Sequence, residues 1–258
     1  MTSVGFSGQE VDAAPVVTVV GSYDVLSRRA ADVVADVIAR HPRGAITVPT
    51  GSTPLGMYQE LLRRIEAGRL DVSGIHIFCL DDYLGRAPDD EASLTGWLRE
   101  AFLVPAGIPE AHVHYIPTTA PDPDVAARQY EEEIRAAGGL ELAVVGLGPN
   151  GHVAFNEPGS RPDSRTRVVK LTEESREQNA AYYEGGVQIP EHAITMGLGT
   201  ILEARRLLMI VSGASKADIV RRALAGPVTP EVPGSLLRLA GERLEVLLDA
   251  EAASALHR

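Results

Sequence analysis

The 258-residue sequence contains a single cysteine, Cys79, so no internal disulfide can form. It also lacks every Cys/His spacing that builds a zinc site. Cys79 sits in the apolar run Ile75-His76-Ile77-Phe78-Cys79-Leu80 and reads as a small buried hydrophobe. No apolar stretch approaches the ~20 residues that span a bilayer. Residues 1–14 have neither the basic start nor the apolar middle of a secretion signal, so a cytoplasmic protein with no membrane partner is expected. Basic charge is scarce too: 24 Lys+Arg stand against 35 Asp+Glu, a net charge of -11. Nucleic-acid binders carry a basic face, and this balance speaks against one. It does not exclude a small anionic ligand, because a helix N-terminus and one lysine can supply the donors locally.

Repeats, low-complexity tracts and long linkers are also missing. What remains is ordinary globular composition, 45% hydrophobic and 23% charged, in a chain long enough for one large core. We expect a flexible segment at 1–14 and a single α/β domain over 15–258. Short apolar runs read as strands: Val16–Val20, Ala45–Pro49, Ile75–Leu80, Val113–Ile116, Leu142–Leu147, Ala193–Met196, Leu207–Val211 and Leu244–Leu248. Amphipathic segments between them read as helices: Asp24–Arg40, Pro54–Ala67, Ser93–Phe102, Pro123–Ala137, Glu173–Glu184, Lys216–Ala225 and a short one near Ser235–Leu239. Thr53 before Pro54, and Ser215 before Lys216, read as N-caps, and Gly138-Gly139 as a helix stop. Strands that are apolar almost throughout predict a mainly parallel sheet covered by helices. Sites in such folds lie beyond the carboxyl ends of the strands.

Four motifs fall in those places. In Pro49-Thr50-Gly51-Ser52-Thr53-Pro54 a strand gives way to a helix through a Gly/Ser/Thr turn. Backbone N–H groups and hydroxyls at such a turn suit a phosphate, although this is neither a P-loop nor a GxGxxG turn. In Leu80-Asp81-Asp82-Tyr83 two adjacent carboxylates stand at a strand end. They point in different directions, so one can face a substrate as a base while the other binds backbone. In Gly148-Pro149-Asn150-Gly151-His152-Val153-Ala154-Phe155-Asn156-Glu157 a histidine and a carboxylate share a glycine-rich loop. Histidine titrates near neutrality and moves protons both ways. In Ser212-Gly213-Ala214-Ser215-Lys216 a lysine opens a helix, a placement the macrodipole disfavours unless an anion is held there too.

Together these motifs resemble the glucosamine-6-phosphate deaminase family, within a wider group that includes the 6-phosphogluconolactonases. The likeness continues through Ser164-Arg165-Thr166-Arg167, Ile194-Thr195-Met196-Gly197 and Gly213-Ala214-Ser215-Lys216-Ala217, and spans roughly residues 45 to 240. The stretch Gly151-His152-Val153-Ala154-Phe155-Asn156-Glu157-Pro158 with Ser164-Arg165-Thr166-Arg167 is the deaminase form. The resemblance implies a three-layer α/β/α modified Rossmann fold with a mainly parallel central sheet. It also implies conversion of glucosamine 6-phosphate to fructose 6-phosphate and ammonia, with no metal or organic cofactor, and allows a homo-oligomer. By the family's pattern His152 moves protons in ring opening, with Asn150 and Glu157 supporting it, and Asp81 is the base at C2. Thr50, Gly51, Ser52, Thr53, Asp82, Gly151 and Lys216 would hold the substrate, chiefly its phosphate. A deaminase, isomerase or lactonase for another sugar phosphate is the alternative. A non-catalytic sugar-phosphate sensor is a further alternative; a regulator of that kind needs a DNA-binding module, and no basic helix-turn-helix segment is expected in this acidic sequence.

The sequence departs from the family at three places. Ala181 stands where the family commonly has an arginine on the phosphate. Glu91-Ala92-Ser93-Leu94-Thr95-Gly96-Trp97 replaces a His-Pro-x-Ser-Tyr pattern beside the sugar. Regulated deaminases carry a lysine just after the Ser-Arg-Thr-Arg stretch, whereas Val168 and Val169 follow Arg167 here. The expectation is no activation by an amino-sugar phosphate.

Overall fold

The computed structural model describes residues 14–90, 92–180 and 188–256. Seven strands form one sheet in the order β1-β10-β9-β6-β2-β3-β5, with every neighbouring pair parallel. They are β1 (Val16–Val20), β2 (Ala45–Thr47), β3 (His76–Phe78), β5 (Val113–His114), β6 (Leu140–Val145), β9 (Arg206–Val211) and β10 (Leu244–Asp249). The inner strands are buried along nearly their whole length, which is why they read as unbroken apolar runs. Helices α1 (Tyr23–Arg40), α2 (Leu55–Glu66), α4 (Pro123–Ala136) and α7 (Ala217–Leu224) connect them. The expected α/β fold with a parallel central sheet is the observed one.

Two chain paths diverge in the middle of this sheet. From β2 the sheet continues through β3 and β5 to one edge; from β6 it continues through β9, β10 and β1 to the other. Loops leaving β2 and β6 therefore part from each other and leave a crevice at their carboxyl ends.

A second, three-stranded antiparallel sheet holds β4 (Asp81–Tyr83), β8 (His192–Thr195) and β7 (Arg167–Lys170) in the order β4-β8-β7. Here the structure corrects the sequence reading. The segment at Ala193–Met196 does not join the central sheet, and Asp81-Asp82 lies in a strand of its own rather than just beyond the end of a central one. Strand β7 was not anticipated because Val168-Val169 alone is apolar, between Arg167 and Lys170. Tyr83, Leu94, Phe155, Leu171, Ile189 and Ala193 form a separate small core under this sheet.

Some caps differ as well. Ser93 caps α3 (Leu94–Leu98) by accepting from the Gly96 N–H at 2.9 Å. Gly138 and Gly139 end α4 as expected, their N–H groups returning to Arg135 and Ile134. The other two predicted caps are not made. No side chain of its own cap residue closes α2, and Ser215 lies inside a 3₁₀ turn, Ala214–Lys216, ahead of α7. Helix α5 is described over Glu173–Ala180; the rest of its predicted span, with Ala181, lies outside the described residues.

Candidate active site

A cleft of about 360 Å³ opens at the divergence between β2 and β6. The loop Pro49–Pro54 forms one wall, and Gly146, Leu147, Gly148 and His152 form another. Leu80, Asp81, Leu94, Trp97, Ala154, Phe155, Asn179, Ser212, Ser215 and Lys216 complete it. Of the residues singled out from sequence, Thr50, Gly51, Ser52, Thr53, Asp81, His152 and Lys216 meet here.

The two adjacent carboxylates have opposite fates. Alternation along β4 sends Asp82 away from the cleft, where it is 1% exposed. Its oxygens accept from the N–H groups of Tyr83, Leu94 and Thr95 and from the Ser93 hydroxyl, at 2.7–3.0 Å. Four donors satisfy this carboxylate and bind the start of α3 to β4, so the expectation of a substrate contact from Asp82 is corrected to a structural one. Asp81 is buried at the cleft with no hydrogen-bond donor to its side chain among the described residues. Burial raises it to about 8, and the Asp82 charge adds to the rise.

On the opposite wall the histidine is set by two neighbours. His152 Nδ1 lies 2.8 Å from Asn150 Oδ1, and Asn150 Nδ2 donates to Glu157 Oε2 at 2.8 Å. Glu157 also accepts from the Ser175 hydroxyl and, at 3.4 Å, from Thr172. A carboxylate only accepts, so it holds the amide's NH₂ towards itself and its oxygen towards the ring. The ring must then donate from Nδ1, which leaves Nε2 with a free lone pair. Burial keeps His152 below the ordinary imidazole value; the Glu157 charge opposes this and the Lys216 charge adds to it.

The backbone around His152 is shaped for it. An added Cβ on Gly148 would sit 2.2 Å from the imidazole, so the absent side chain makes room for the ring itself. Ala154, on the cleft wall, has φ 50, a conformation that L residues adopt at a cost. The Asn156 amide donates to Val153 O and Met196 O at 2.9 Å and pins the loop to the strand end of β8. Gly151 does not line the cleft. It turns the chain at φ 94 beneath Val232, so its expected substrate contact is also corrected.

Lys216 donates to Leu147 O at 2.8 Å, and burial lowers its pKa. Around the loop, no protein group among the described residues hydrogen-bonds the side chains of Thr50, Ser52 or Thr53. Sequence reading missed Ser175 on α5 and Thr172 just ahead of that helix, which anchor Glu157. Their only signal was the Thr172-x-x-Ser175 turn spacing, in which Ser175 N–H donates to Thr172 at 3.1 Å. Among the described residues, no group of three or more His, Cys, Asp or Glu could hold a metal ion, and no helix is long and apolar enough to cross a membrane.

Such a cleft, with an acid–base pair and a donor-rich loop at the carboxyl ends of a parallel sheet, is that of a Rossmann-like α/β enzyme. The chain belongs to the glucosamine-6-phosphate isomerase/6-phosphogluconolactonase family, which it matches over residues 22–246. It is 41% identical over 224 residues to a glucosamine-6-phosphate deaminase of Corynebacterium aurimucosum, covering 86% of this chain and 87% of that one. It is 36% identical to the deaminase of Thermoanaerobacter sp., over 90% of this chain and 92% of the relative. Among solved structures, a monomeric glucosamine-6-phosphate deaminase superposes with a TM-score of 0.89 at 35% identity, covering 93% of this chain and 99% of that one. The 6-phosphogluconolactonase of Thermotoga maritima shares the fold, at a TM-score of 0.71 and 22% identity over 91% of this chain and 99% of that one.

Proposed function

We propose that this protein is a glucosamine-6-phosphate deaminase, converting glucosamine 6-phosphate and water to fructose 6-phosphate and ammonia. The observation that carries the reading is the pairing, across one cleft, of the unbonded Asp81 carboxylate with His152 in its Nδ1–H form. Aldose–ketose isomerisation needs a carboxylate at C1 and C2, and opening the sugar ring needs a second acid–base group. The high identity to deaminases over most of both chains supports the same assignment.

In this reading the phosphate lies on Gly51, Ser52 and Thr53, with Lys216 as the cation. Held there, it fixes the distant reacting carbons. His152 Nε2 takes the proton of the C1 hydroxyl and returns it to the ring oxygen as the C1–O5 bond breaks. Asp81 then takes the C2 proton, giving an enolamine, and delivers a proton to C1, giving the C2 imine. Water adds to the imine, and ammonia leaves. The substrate's ammonium at C2 suits Asp81: a cation beside a buried carboxylate favours its ionised form, so the substrate itself helps create the base.

Leu94 on the cleft wall, within the segment that departs from the His-Pro-x-Ser-Tyr pattern, is a specific reason to test a second reading: the same chemistry on another amino-sugar phosphate. The deciding experiment follows ammonia and fructose 6-phosphate from glucosamine 6-phosphate, with galactosamine 6-phosphate and 6-phosphogluconolactone in parallel. Equimolar products, lost in Asp81→Asn and strongly reduced in His152→Gln, are expected. Absence of ammonia from glucosamine 6-phosphate overturns the assignment, and turnover of one of the other two substrates names its replacement.

A further inference from the structure

Helix α2 is capped from outside. A helix that begins after Ser-Thr-Pro would ordinarily turn its Thr53 hydroxyl back onto the N–H of Gly56, three residues on. That N–H instead donates, at 2.8 Å, to the phenol oxygen of Tyr23 on α1. The single O–H of the same phenol lies 3.1 Å from both the Ser52 and the Thr53 carbonyl oxygens and is shared between them. One side chain therefore accepts from the helix and holds two consecutive peptides of the loop. Gly56 makes the approach possible: an added Cβ would lie 2.3 Å from Ser27 Oγ and 3.1 Å from the Tyr23 phenol.

The consequence lies on the other side of the loop. Because Tyr23 answers the helix, the Thr53 hydroxyl is free of any protein partner among the described residues, and Thr53 lines the cleft with Ser52. Fixing the Ser52 and Thr53 carbonyls on the α1 side also limits how their peptides can turn, and free donors at a helix N-terminus are what an anion requires.

We propose that Tyr23 is a positioning residue of the phosphate-binding loop: it substitutes for the internal cap of α2 and so releases Thr53 to the ligand's phosphate. This rests on the sugar-phosphate reading of the cleft. Without the phenol, the Thr53 hydroxyl rotates inward to the orphaned Gly56 N–H and is lost to the ligand.

The test is a double-mutant cycle read by calorimetric titration of the whole protein with inorganic phosphate, beside steady-state kinetics. Tyr23→Phe keeps the ring and its packing. It is expected to weaken phosphate binding roughly fivefold, the scale of one hydrogen bond. KM for glucosamine 6-phosphate should rise by a similar factor while kcat stays within about twofold. Thr53→Ala should weaken phosphate binding in the wild-type background and add little in Tyr23→Phe, because the hydroxyl is already withdrawn. Equal phosphate affinity in Tyr23→Phe and wild type overturns the proposal, as does an equal effect of Thr53→Ala in both backgrounds. A lower thermal midpoint with unchanged phosphate affinity makes Tyr23 a packing residue and overturns it too. Should wild type release no ammonia, the deaminase assignment fails, but the phosphate titrations still decide the role of Tyr23.

Discussion

The Glu157 carboxylate stops 3.9 Å from His152 Nδ1 and reaches it only through the side-chain amide of Asn150. The family resemblance implied support of His152 by Asn150 and Glu157 without saying how the two act together. The structure inserts a group that transmits orientation but carries no charge. The neutral relay fixes the tautomer, and the Glu157 charge, held one amide away, only partly offsets the burial that keeps the ring neutral, which suits a ring that must give its proton back. Asn150→Asp would place a carboxylate against Nδ1 and beside Glu157. We expect the imidazole pKa, followed by NMR, to move upwards from its depressed value. Asn150→Leu should cost about a hundredfold in kcat, the lower range for a disabled acid–base group. An unchanged imidazole titration in Asn150→Asp would sink the relay.

As the proposed base, Asp81 is expected to set the acid side of the activity profile. In the free enzyme its carboxyl is raised to about 8, first by burial and then by Asp82. The base must be ionised, so kcat/KM should climb with pH to a limb near 8. In the proposed complex the substrate ammonium would lie beside it and pull the value down. The limb in kcat is therefore expected at lower pH than the limb in kcat/KM. Coincident limbs would mean that the substrate does not ionise Asp81.

The same group links pH to stability. Its folded pKa exceeds that of the unfolded chain, so the native state binds more protons between about 4 and about 8. The stability it contributes is complete at acid pH and is lost as pH rises towards 8. Asparagine carries no such dependence. Asp81→Asn should abolish ammonia release yet raise the thermal midpoint at pH 8.5 by a few degrees, with a smaller gain at pH 5. A midpoint difference that is flat with pH would show that Asp81 is not desolvated in the folded protein.

The cleft beside Arg167, of about 650 Å³ and bordered by Ser160, Ser164 and Lys170, bears on regulation. Val168 follows Arg167 where regulated deaminases have a lysine, and the Lys170 ammonium is 3.9 Å from Glu191 in an exposed pair. We expect hyperbolic saturation by glucosamine 6-phosphate, unchanged by N-acetylglucosamine 6-phosphate. A curve that is sigmoidal until that compound is added would reverse the expectation.

Much of this was legible in the sequence because it depends on local chemistry. Buried parallel strands must be apolar throughout, so the central sheet could be read. Loops that follow such strands must carry the site, so Asp81, His152 and Lys216 could be placed in one cleft. What was hidden depends on partners distant in sequence. The cap of α2 comes from Tyr23, about thirty residues earlier, and nothing near Thr53 signals it. Asp82 looks like a second active carboxylate until its four donors are seen. Ser175 looks like a surface helix residue, yet it is 1% exposed and bonded to Glu157. Strand β7 has too short an apolar run to announce itself and exists because β8 pairs with it.

Gly148 offers the sharpest separation of catalysis from binding. Its backbone is not in the left-handed region, so alanine there costs little conformationally. The cost is steric and local: the new Cβ would lie 2.2 Å from the His152 ring, which must move. The ring's Nδ1 is tied to Asn150, so displacement swings Nε2 away from the substrate or breaks the relay. The added Cβ meets His152 and not the loop Thr50–Thr53. Gly148→Ala should therefore lower kcat by about a hundredfold, the scale of a lost acid–base group, while inorganic phosphate binds as in wild type. The open-chain aldose form of the substrate bypasses ring opening, and on it the variant should recover most of its rate. An equal loss on closed and open forms would instead place His152 in the isomerisation step and require a new division of labour between it and Asp81.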